Sequence, residues 1–310
     1  MTIHKDIERL PHFNNAVITI GTFDGVHMGH QKIIGQLKSE AGRTGGETVI
    51  ITFHPHPRKI VHSGKEIKLI TTIEERIERL SAAAIDHLVI VPFTQGFSEL
   101  EPADYVESFL KKRFQPSVVI IGYDHKFGKE RKGDYKLLEE YSAKGYFTLK
   151  EIPQHVINHS TVSSTLIRDY ITNGEIEKAN SLLGYDFSFE GLVVKGDQRG
   201  RTIGFPTANL QLTNEEKIVP GNGVYAVNVF LPSSFSLLSG MMNIGVRPTV
   251  DGTKRTMEVN IFDFNEDIYG KIIRVFVKGF LRGEKKFSGI QELKLQLEKD
   301  KLSALSKLSS

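Results

Sequence analysis

The stretch "AVITIGTFDGVHMGHQ" (16–31) joins an apolar, β-branched run to a glycine-containing loop that carries two histidines. The run at 16–20 predicts a strand that is buried on both faces. His27 and His30 follow it, and a helical pattern covers about 29–41. In sheets built by strand–helix alternation, ligands bind beyond the carboxyl ends of the strands. The stretch therefore predicts a binding loop at such an end.

The first half of the chain continues this alternation. Further apolar runs predict buried strands: "TVIITF" (48–53), "HLVIVPF" (87–93), "SVVIIG" (117–122) and "YFTLKEI" (146–152). Between them, apolar residues recur at helical spacing, as in "TTIEERIERLSAAA" (71–84) and "EPADYVESFLKKRF" (101–114). This order predicts an α/β domain with a doubly wound parallel sheet.

The pattern changes near residue 185. The segment "SSTLIRDYITNGEIEKANSLLG" (163–184) predicts a helix interrupted at Asn173-Gly174, and short strand-like runs with turn signals follow it. These runs predict a small antiparallel β-barrel. Because domains commonly hold about 150 residues, we expect two of them, covering 1–184 and 185–310.

The last segment, 289–308, predicts a C-terminal helix. Its apolar residues that lie roughly on one face are Ile290, Leu293, Leu297 and Leu305. Most such helices cover their own core, and binding to a partner or a membrane surface is the alternative.

Composition restricts the classes of function. The 310 residues carry 40 basic and 37 acidic side chains, and this net charge of +3 is too small to indicate a protein that wraps nucleic acid. The chain has no cysteine, which excludes disulfides, thiolate metal sites and cysteine nucleophiles. The first 15 residues hold no apolar core of secretory length, and no apolar run approaches about 20 residues. We expect a cytoplasmic protein without a membrane or nucleic-acid partner; its oligomeric state is unknown.

Three interpretations compete for His27 and His30. Metal binding has little support, because a single H-x-x-H pair lacks a third ligand at standard spacing. Core or solvated histidines are the ordinary structural alternative. Phosphate binding is favoured by Gly25 and Gly29, which let the backbone approach an anion, and by the helix start that follows. Imidazoles can donate further hydrogen bonds to such a ligand.

The loop also resembles a known motif. His27-Met28-Gly29-His30 resembles the signature of the nucleotidyltransferase superfamily, whose domain is Rossmann-like. The longer string "GTFDGVHMGHQ" (21–31) resembles the FMN adenylyltransferase module of the bacterial bifunctional riboflavin kinase/FAD synthetase family. Three further segments are similar to that module and occur in its order: "TFHPHPRKIV" (52–61), "IGYDHKFGKERKGD" (121–134) and "VSSTLIR" (162–168).

The resemblance implies roles for residues in a module that transfers AMP from ATP to FMN. His27 and His30 would contact the ATP phosphates. The residues implied to shape the same pocket are Gly21, Phe23, Asp24 and Gly29. A second phosphate clamp would consist of Ser163, Ser164, Thr165 and Arg168, although this segment taken alone is equally well a capped helix. Asp124 and Phe127 would lie near the base or the flavin.

These residue types suit the implied reaction. The attacking group is the phosphate of FMN, which is already ionised near neutral pH, so the reaction needs no general base. It needs in-line positioning and positive charge at the departing pyrophosphate. Histidine, arginine, hydroxyl and backbone N–H groups meet that need.

A second motif lies in the predicted barrel. The segment "GDQRGRTIGFPTAN" (196–209) has the composition of a turn-rich loop, and it resembles the riboflavin kinase signature G-x-x-x-G-F-P-T-A-N. The resemblance implies that Thr207 and Asn209 hold Mg²⁺ with the phosphates of ATP, since magnesium prefers hard oxygen ligands. It also implies a flap over the nucleotide that contains Gly200, Arg201 and Gly204.

The segment "RTMEVNIFDF" (255–264) supplies a carboxylate. Strand alternation places Glu258 on the opposite face from Met257 and Val259. An acid on a strand is ordinarily exposed to solvent and has no catalytic role. The family resemblance makes Glu258 the catalytic base. Riboflavin reacts through the 5′-hydroxyl of its ribityl chain, and an alcohol must lose a proton as it attacks.

Other interpretations stay open at this point. A nucleotidyltransferase that acts on glycerol phosphate or pantetheine phosphate would lack the "GFPTAN" module. A nucleic-acid-binding barrel would need a basic groove interleaved with aromatic residues, but the strands at 222–230 and 256–264 hold few cations. A degenerate, regulatory member of the family is a third alternative. The implied substrates and products are riboflavin, ATP, FMN and FAD.

Overall fold

The structure is a computed structural model, and it forms two compact units, Met1–Ser164 and Thr165–Ser310. The residues that it describes are 1–61, 67–122, 125–152, 162–196, 200, 203–232, 236–249 and 252–309.

The first unit alternates strands and helices. Its strands are β1 (Thr2–His4), β2 (Val17–Ile20), β3 (Thr48–His54), β4 (His87–Pro92), β5 (Val118–Gly122) and β6 (Thr148–Ile152). Its helices are α1 (Met28–Thr44), α2 (Pro57–Val61), α3 (Ile73–Ala82), α4 (Gln95–Ser98), α5 (Pro102–Asp104), a π-helical segment (Tyr105–Lys111), α6 (Lys112–Phe114) and α7 (Tyr135–Ala143).

The strands form one parallel sheet, with the order β1-β4-β3-β2-β5-β6 among the described residues. From β2 the chain moves outward through β3 to β4, and then returns to β5 on the other side of β2. The carboxyl ends of β2 and β5 therefore flank the topological switch point, where ligands bind in such sheets. The sheet confirms the predicted doubly wound fold, and β1, a three-residue edge strand, was not predicted.

The sheet is buried on both faces, as its apolar runs predict. On β2, Ile18 and Ile20 pack in one apolar cluster with residues of the π-helical segment and α7. Val17 packs in the other cluster, with residues of α1 and α3. Because successive side chains of a strand point to opposite faces, a continuous apolar run serves both helical layers.

The second unit contains a closed barrel of six strands within the described part of the chain, in the order β10-β11-β8-β7-β12-β9. Its strands are β7 (Phe187–Val194), β8 (Ala208–Leu212), β9 (Gly223–Phe230), β10 (Leu238–Thr249), β11 (Gly252–Ile261) and β12 (Ile272–Arg282). All neighbouring strands are antiparallel. The barrel prediction is confirmed.

Two helices precede the barrel, α8 (Ser164–Thr172) and α9 (Ile176–Leu183). They are separated at Asn173-Gly174, as predicted, and Gly174 takes a left-handed φ of 78°. The side chain of Asn180 on α9 donates to the carbonyl of Val277 on β12 at 2.9 Å, so α9 is fastened to the barrel. Compactness thus groups these helices with the barrel, and the domain boundary at 184 stays a prediction.

The C-terminal helix, α10 (Ile290–Leu308), packs on the barrel. Leu297, Ala304 and Leu308 join an apolar cluster with barrel residues such as Met241. Ile290 and Leu305 are 66% and 37% exposed, so the expected single apolar face is only partly covered.

Candidate functional site

The loop that follows β2 has an unusual backbone. Phe23, Gly25 and Val26 have positive φ values of 49°, 87° and 39°. A left-handed conformation is strained for a β-branched residue such as Val26, and it persists only where the surroundings impose it. A Cβ added to Gly21 would lie 3.2 Å from the ring of Phe23, so Gly21 makes room for this turn.

Asp24 holds the loop in shape. Its carboxylate is fully buried and accepts hydrogen bonds from the backbone N–H groups of Ile70 (3.2 Å) and Thr71 (2.9 Å). The Thr71 hydroxyl donates to the same carboxylate at 3.1 Å and accepts from the N–H of Gly25 at 2.9 Å. Asp24 therefore ties the loop to the segment before α3, and its part in an ATP pocket stays a prediction.

His27 and His30 lie against each other at the start of α1. Their rings stack with centroids 3.7 Å apart and planes 15° apart. His27 is the N-cap of α1, and its Nδ1 accepts the backbone N–H of His30 at 3.4 Å. A Cβ on Gly29 would approach the His27 ring to 3.2 Å, so glycine lets the imidazole fold back over the helix start. The first turn of α1 has no acidic residue, as suits an anion site.

His30 is held in its neutral form. Burial, the neighbouring His27 and the positive charge of Arg76 together lower the pKa of His30 well below its usual range. Its Nδ1 is closed off from solvent and has no hydrogen-bond partner among the described residues. A buried polar atom without a partner is costly, so a hydrogen bond from a ligand would stabilise it.

Arg76 on α3 is the charged residue that sequence reasoning missed. It is only 1% exposed, and its Nη1 donates to the Thr52 hydroxyl (3.1 Å) and to the carbonyl of Phe53 (3.2 Å). One signal was available: position 76 lies on the same helical face as Ile73 and Leu80, where an apolar residue is expected.

The predicted second clamp begins beside the histidine loop. The Ser164 hydroxyl donates to the carbonyl of Asp24 at 2.9 Å, which places Ser164, the last residue of the first unit, beside the histidine loop. Ser163 and Thr165 are exposed and Arg168 is half-buried on α8. Thr165 and Arg168 belong to the second unit, so their predicted role in the clamp stays a prediction.

A cavity of about 970 Å³ opens next to the loop, within the first unit. Gly21 and Thr22 form part of its wall. Its aromatic lining residues are Phe53, Phe93, Phe97, Tyr105 and Phe127, and its cationic ones are Arg58, Lys126, Lys129 and Arg131. Apolar walls with a few charged groups are typical of small-molecule sites.

Phe127 and Asp124 are the two residues predicted to lie near the base or the flavin. Phe127 lines the cavity, is 5% exposed and stacks on Tyr105 with ring centroids 4.7 Å apart. Asp124 lies outside the described residues.

The barrel brings Glu258 and Asn209 together. Glu258 on β11 pairs directly with Asn209 on β8 and with Asn243 on β10. Directly opposed residues of antiparallel strands share a face, so the carboxylate lies between two amide side chains. A Cβ on Gly196 would lie 2.1 Å from the amide nitrogen of Asn209, which shows how closely the preceding loop approaches. Gly196 was not singled out from the sequence.

The loop before β8 folds around Thr207. The carbonyl of Gly200 accepts the N–H of Phe205 at 2.9 Å, and a Cβ on Gly200 would lie 3.4 Å from the Thr207 hydroxyl. Gly204 has a φ of 84°, a conformation that favours glycine. The amide of Asn260 donates to the carbonyl of Pro206 at 2.7 Å and ties this loop to β11. Arg201 lies outside the described residues.

Comparison with known families assigns the two halves separately. The family model described as FAD synthetase matches residues 10–166, and the one described as riboflavin kinase matches residues 183–308. The bifunctional riboflavin kinase/FMN adenylyltransferase of Listeria monocytogenes is 40% identical over 288 residues, which are 92% of this chain and 90% of that protein. The protein of the same name from Bacillus subtilis is 38% identical, over 95% and 93% of the two chains.

A solved structure shares the whole architecture. It is described as a macrolide-efflux protein from Streptococcus pneumoniae, and it matches with a TM-score of 0.86 and 30% identity over 98% of both chains. In the part of our chain that the structure describes, no helix combines the length and the apolar character that crossing a membrane requires. Both domain matches, their order and the near-complete coverage of the relatives agree with the motifs: the chain belongs to the family of bifunctional riboflavin kinase/FMN adenylyltransferases.

Proposed function

We propose that the second unit phosphorylates riboflavin with ATP to give FMN and ADP, and that the first unit transfers AMP from ATP to FMN to give FAD and pyrophosphate. One observation supports this division: the two sites hold different kinds of side chain, and these suit the different nucleophiles of the two reactions, an ionised phosphate and an alcohol. The first has stacked imidazoles at a helix start without an acid in its first turn. The second has a carboxylate beside amide side chains.

In the first unit, the residues position an already ionised nucleophile. His27, His30 and the start of α1 would bind the ATP phosphates, with the unpartnered Nδ1 of His30 as one contact. Neutral imidazole donates through one nitrogen and accepts through the other. Positioning and hydrogen bonds at the developing charge are the main contributions to such transfers. Ser163, Ser164, Thr165 and Arg168 would form the second clamp on the triphosphate.

The cavity beside this loop suits FMN. Its aromatic walls match the planar flavin ring, and its arginines and lysines match the phosphate. Phe127 would contact the flavin side, and Asp124 would lie near the base or the flavin. Because Gly21 and Thr22 belong both to the cavity wall and to the histidine loop, a flavin phosphate bound there would reach the ATP site.

In the second unit, Glu258 would accept the proton of the ribityl 5′-hydroxyl as the alcohol attacks. Asn209 lies opposite Glu258, and the loop around Thr207 is fastened by Gly200 and Asn260. The amide oxygen of Asn209 and the hydroxyl of Thr207 are hard donors, as Mg²⁺ prefers, so these residues fit the metal. Bound there, Mg²⁺ would neutralise charge on the ATP phosphates. Gly200, Arg201 and Gly204 would form the flap over the nucleotide.

The remaining sequence expectations are part of this proposal. The functional domains would divide at 184/185, close to residue 183, where the riboflavin kinase match begins. The protein would act on small molecules in the cytoplasm without a nucleic-acid partner.

The direct test incubates the purified chain with riboflavin, ATP and Mg²⁺ and separates the flavins by chromatography. FMN should appear first and FAD after it, with FMN alone sufficient for FAD formation. Replacing His30 or Arg168 by alanine should lower the rate of FAD formation with little loss of folded protein. Unchanged riboflavin, together with unchanged FMN in a separate reaction, would refute the proposal.

A further inference from the structure

Arg76 is a buried cation behind the histidine loop, and none of the recognised motifs contains it. It lies on the first half of α3, and its side chain is almost completely buried. Burying a guanidinium is costly unless it is hydrogen-bonded, so an arginine at a core position needs a reason.

The bonds of Arg76 lead to the histidine loop. Its Nη1 donates to the Thr52 hydroxyl at 3.1 Å, and that hydroxyl donates to the carbonyl of Thr22 at 3.0 Å. Thr22 lies in the loop between β2 and α1. Arg76 also donates to the carbonyl of Phe53 at 3.2 Å. Three elements, α3, the end of β3 and the histidine loop, are thereby held in one arrangement.

The charge of Arg76 also acts on His30. The bonds to Thr52 and Phe53 go to neutral oxygens and position the guanidinium. Two of the titratable and charged groups that act on His30 are His27, at the start of its own helix, and Arg76, from α3. Both lower the pKa of His30, and they act in a buried environment where charges interact strongly.

We propose that Arg76 is a positioning residue for FMN adenylylation: through Thr52 it fixes the loop that carries His27 and His30, and its positive charge acts on the same loop. This inference rests on the proposed adenylylation activity. The same charge would favour the triphosphate that the histidines bind.

The test compares Arg76→Gln and Arg76→Lys in the full chain. Arg9→Gln is the matched control, because Arg9 is in the same unit and its side chain is 89% exposed. The rate of FAD formation from FMN is measured between pH 5 and 8 with ATP varied, and riboflavin phosphorylation is measured in the same samples. Thermal unfolding reports the amount of folded protein.

Arg76→Gln should lower kcat/KM for adenylylation by about tenfold or more. It should also move the acidic limb of the pH profile upward, because loss of a nearby positive charge lets His30 take a proton more easily. Arg76→Lys keeps the charge but not the planar fork. This variant should therefore have a lower kcat/KM for adenylylation, while the acidic limb of its pH profile stays near that of the wild type. Riboflavin phosphorylation should be unchanged in both variants.

A merely structural arginine would lower the unfolding temperature and leave the pH profile of the folded fraction unchanged, and that result in Arg76→Gln would overturn the inference. If Arg76→Gln does not fold, wild-type kcat/KM in Arg76→Lys would overturn it instead. If the wild type makes FAD and the Arg76 variants make it equally well, the result contradicts only this inference. A wild type that makes no FAD contradicts the proposed function and the inference together.

Discussion

Glu258 on β11 is paired directly with Asn209 on β8, so two neighbouring strands bring an acid and an amide to one face of the barrel. Neither residue needs a long side-chain reach to share a ligand, because directly opposed Cβ atoms lie about 4.5–5.5 Å apart. The carboxylate is thus fixed by the strand register beside the loop that carries Thr207.

Replacing Glu258 by glutamine tests whether this carboxylate is the base. We expect FMN formation from riboflavin to fall by about 10²–10⁴-fold, the usual contribution of a general base. FAD formation from supplied FMN should continue, since its phosphate nucleophile carries no proton that must be removed. Glu266→Gln is the control, because Glu266 is an exposed acid of the same unit. Equal loss of both activities would contradict the division of labour.

Asn260 links β11 to the loop that carries Thr207 in the proposed kinase site, and its loss should affect both stability and nucleotide binding. Its buried amide donates to the Pro206 carbonyl, one residue before Thr207. Asn260→Ala should destabilise the second unit by about 1–3 kcal/mol, as expected for a buried acceptor left without its donor. It should also raise the KM for ATP in riboflavin phosphorylation. An unchanged KM, measured on folded protein, would show that the loop keeps its position without this bond.

The strand runs and motifs could be predicted because each depends on local sequence. A continuous β-branched run such as 48–53 is apolar on both faces of a strand, so it is stable inside a sheet that helices cover on both sides. The histidine loop was predicted as a phosphate site because its glycines let the backbone approach an anion at a helix start, and because its sequence resembles a known signature. The edge strand β1 was not predicted, since "TIH" is too short and too polar to show a pattern.

The supporting residues could not be predicted because their roles arise only from packing. Arg76 reaches Thr52 across 24 positions of sequence, and Asn260 reaches Pro206 across 54. In each case the residue type is ordinary, and only the fold shows the acceptor. The role of Asp24 also depends on the fold, because its partners Ile70 and Thr71 lie at the start of another helix.

The neutral state of His30 predicts how the stability of the first unit depends on pH. Its pKa in the folded protein is well below 6.5, so below about pH 6.5 the unfolded chain binds a proton that the folded unit does not. The free energy of unfolding should therefore fall as pH decreases through this range. The unfolding temperature of the wild type, measured from pH 8 to pH 5, should decrease more steeply than that of His30→Gln.

His4 is the appropriate comparison for this experiment. Burial and the neighbouring His87 lower the pKa of His4, so it contributes to the same slope from a position on β1. His4→Gln should flatten the pH dependence less than His30→Gln, because the pKa of His30 is lowered further. Identical slopes in the wild type and His30→Gln would mean that folding does not lower the pKa of His30.

Two glycines of α1 allow stability and activity to be separated. A Cβ on Gly29 would lie 3.2 Å from the ring of His27, whereas a Cβ on Gly35 would meet nothing within 4 Å. Alanine in place of an exposed helical glycine stabilises by about 1 kcal/mol, so Gly35→Ala should raise the unfolding temperature and leave both activities unchanged.

Gly29→Ala should displace His27 by a few tenths of an ångström. We therefore expect Gly29→Ala to lower FAD formation by about tenfold, since misplaced catalytic groups are costly, with riboflavin phosphorylation retained. Steady-state rates for both reactions, compared with the unfolding temperatures of the two variants, decide the outcome. Full adenylylation in Gly29→Ala would show that the stacked position of His27 on His30 is not the one that binds ATP.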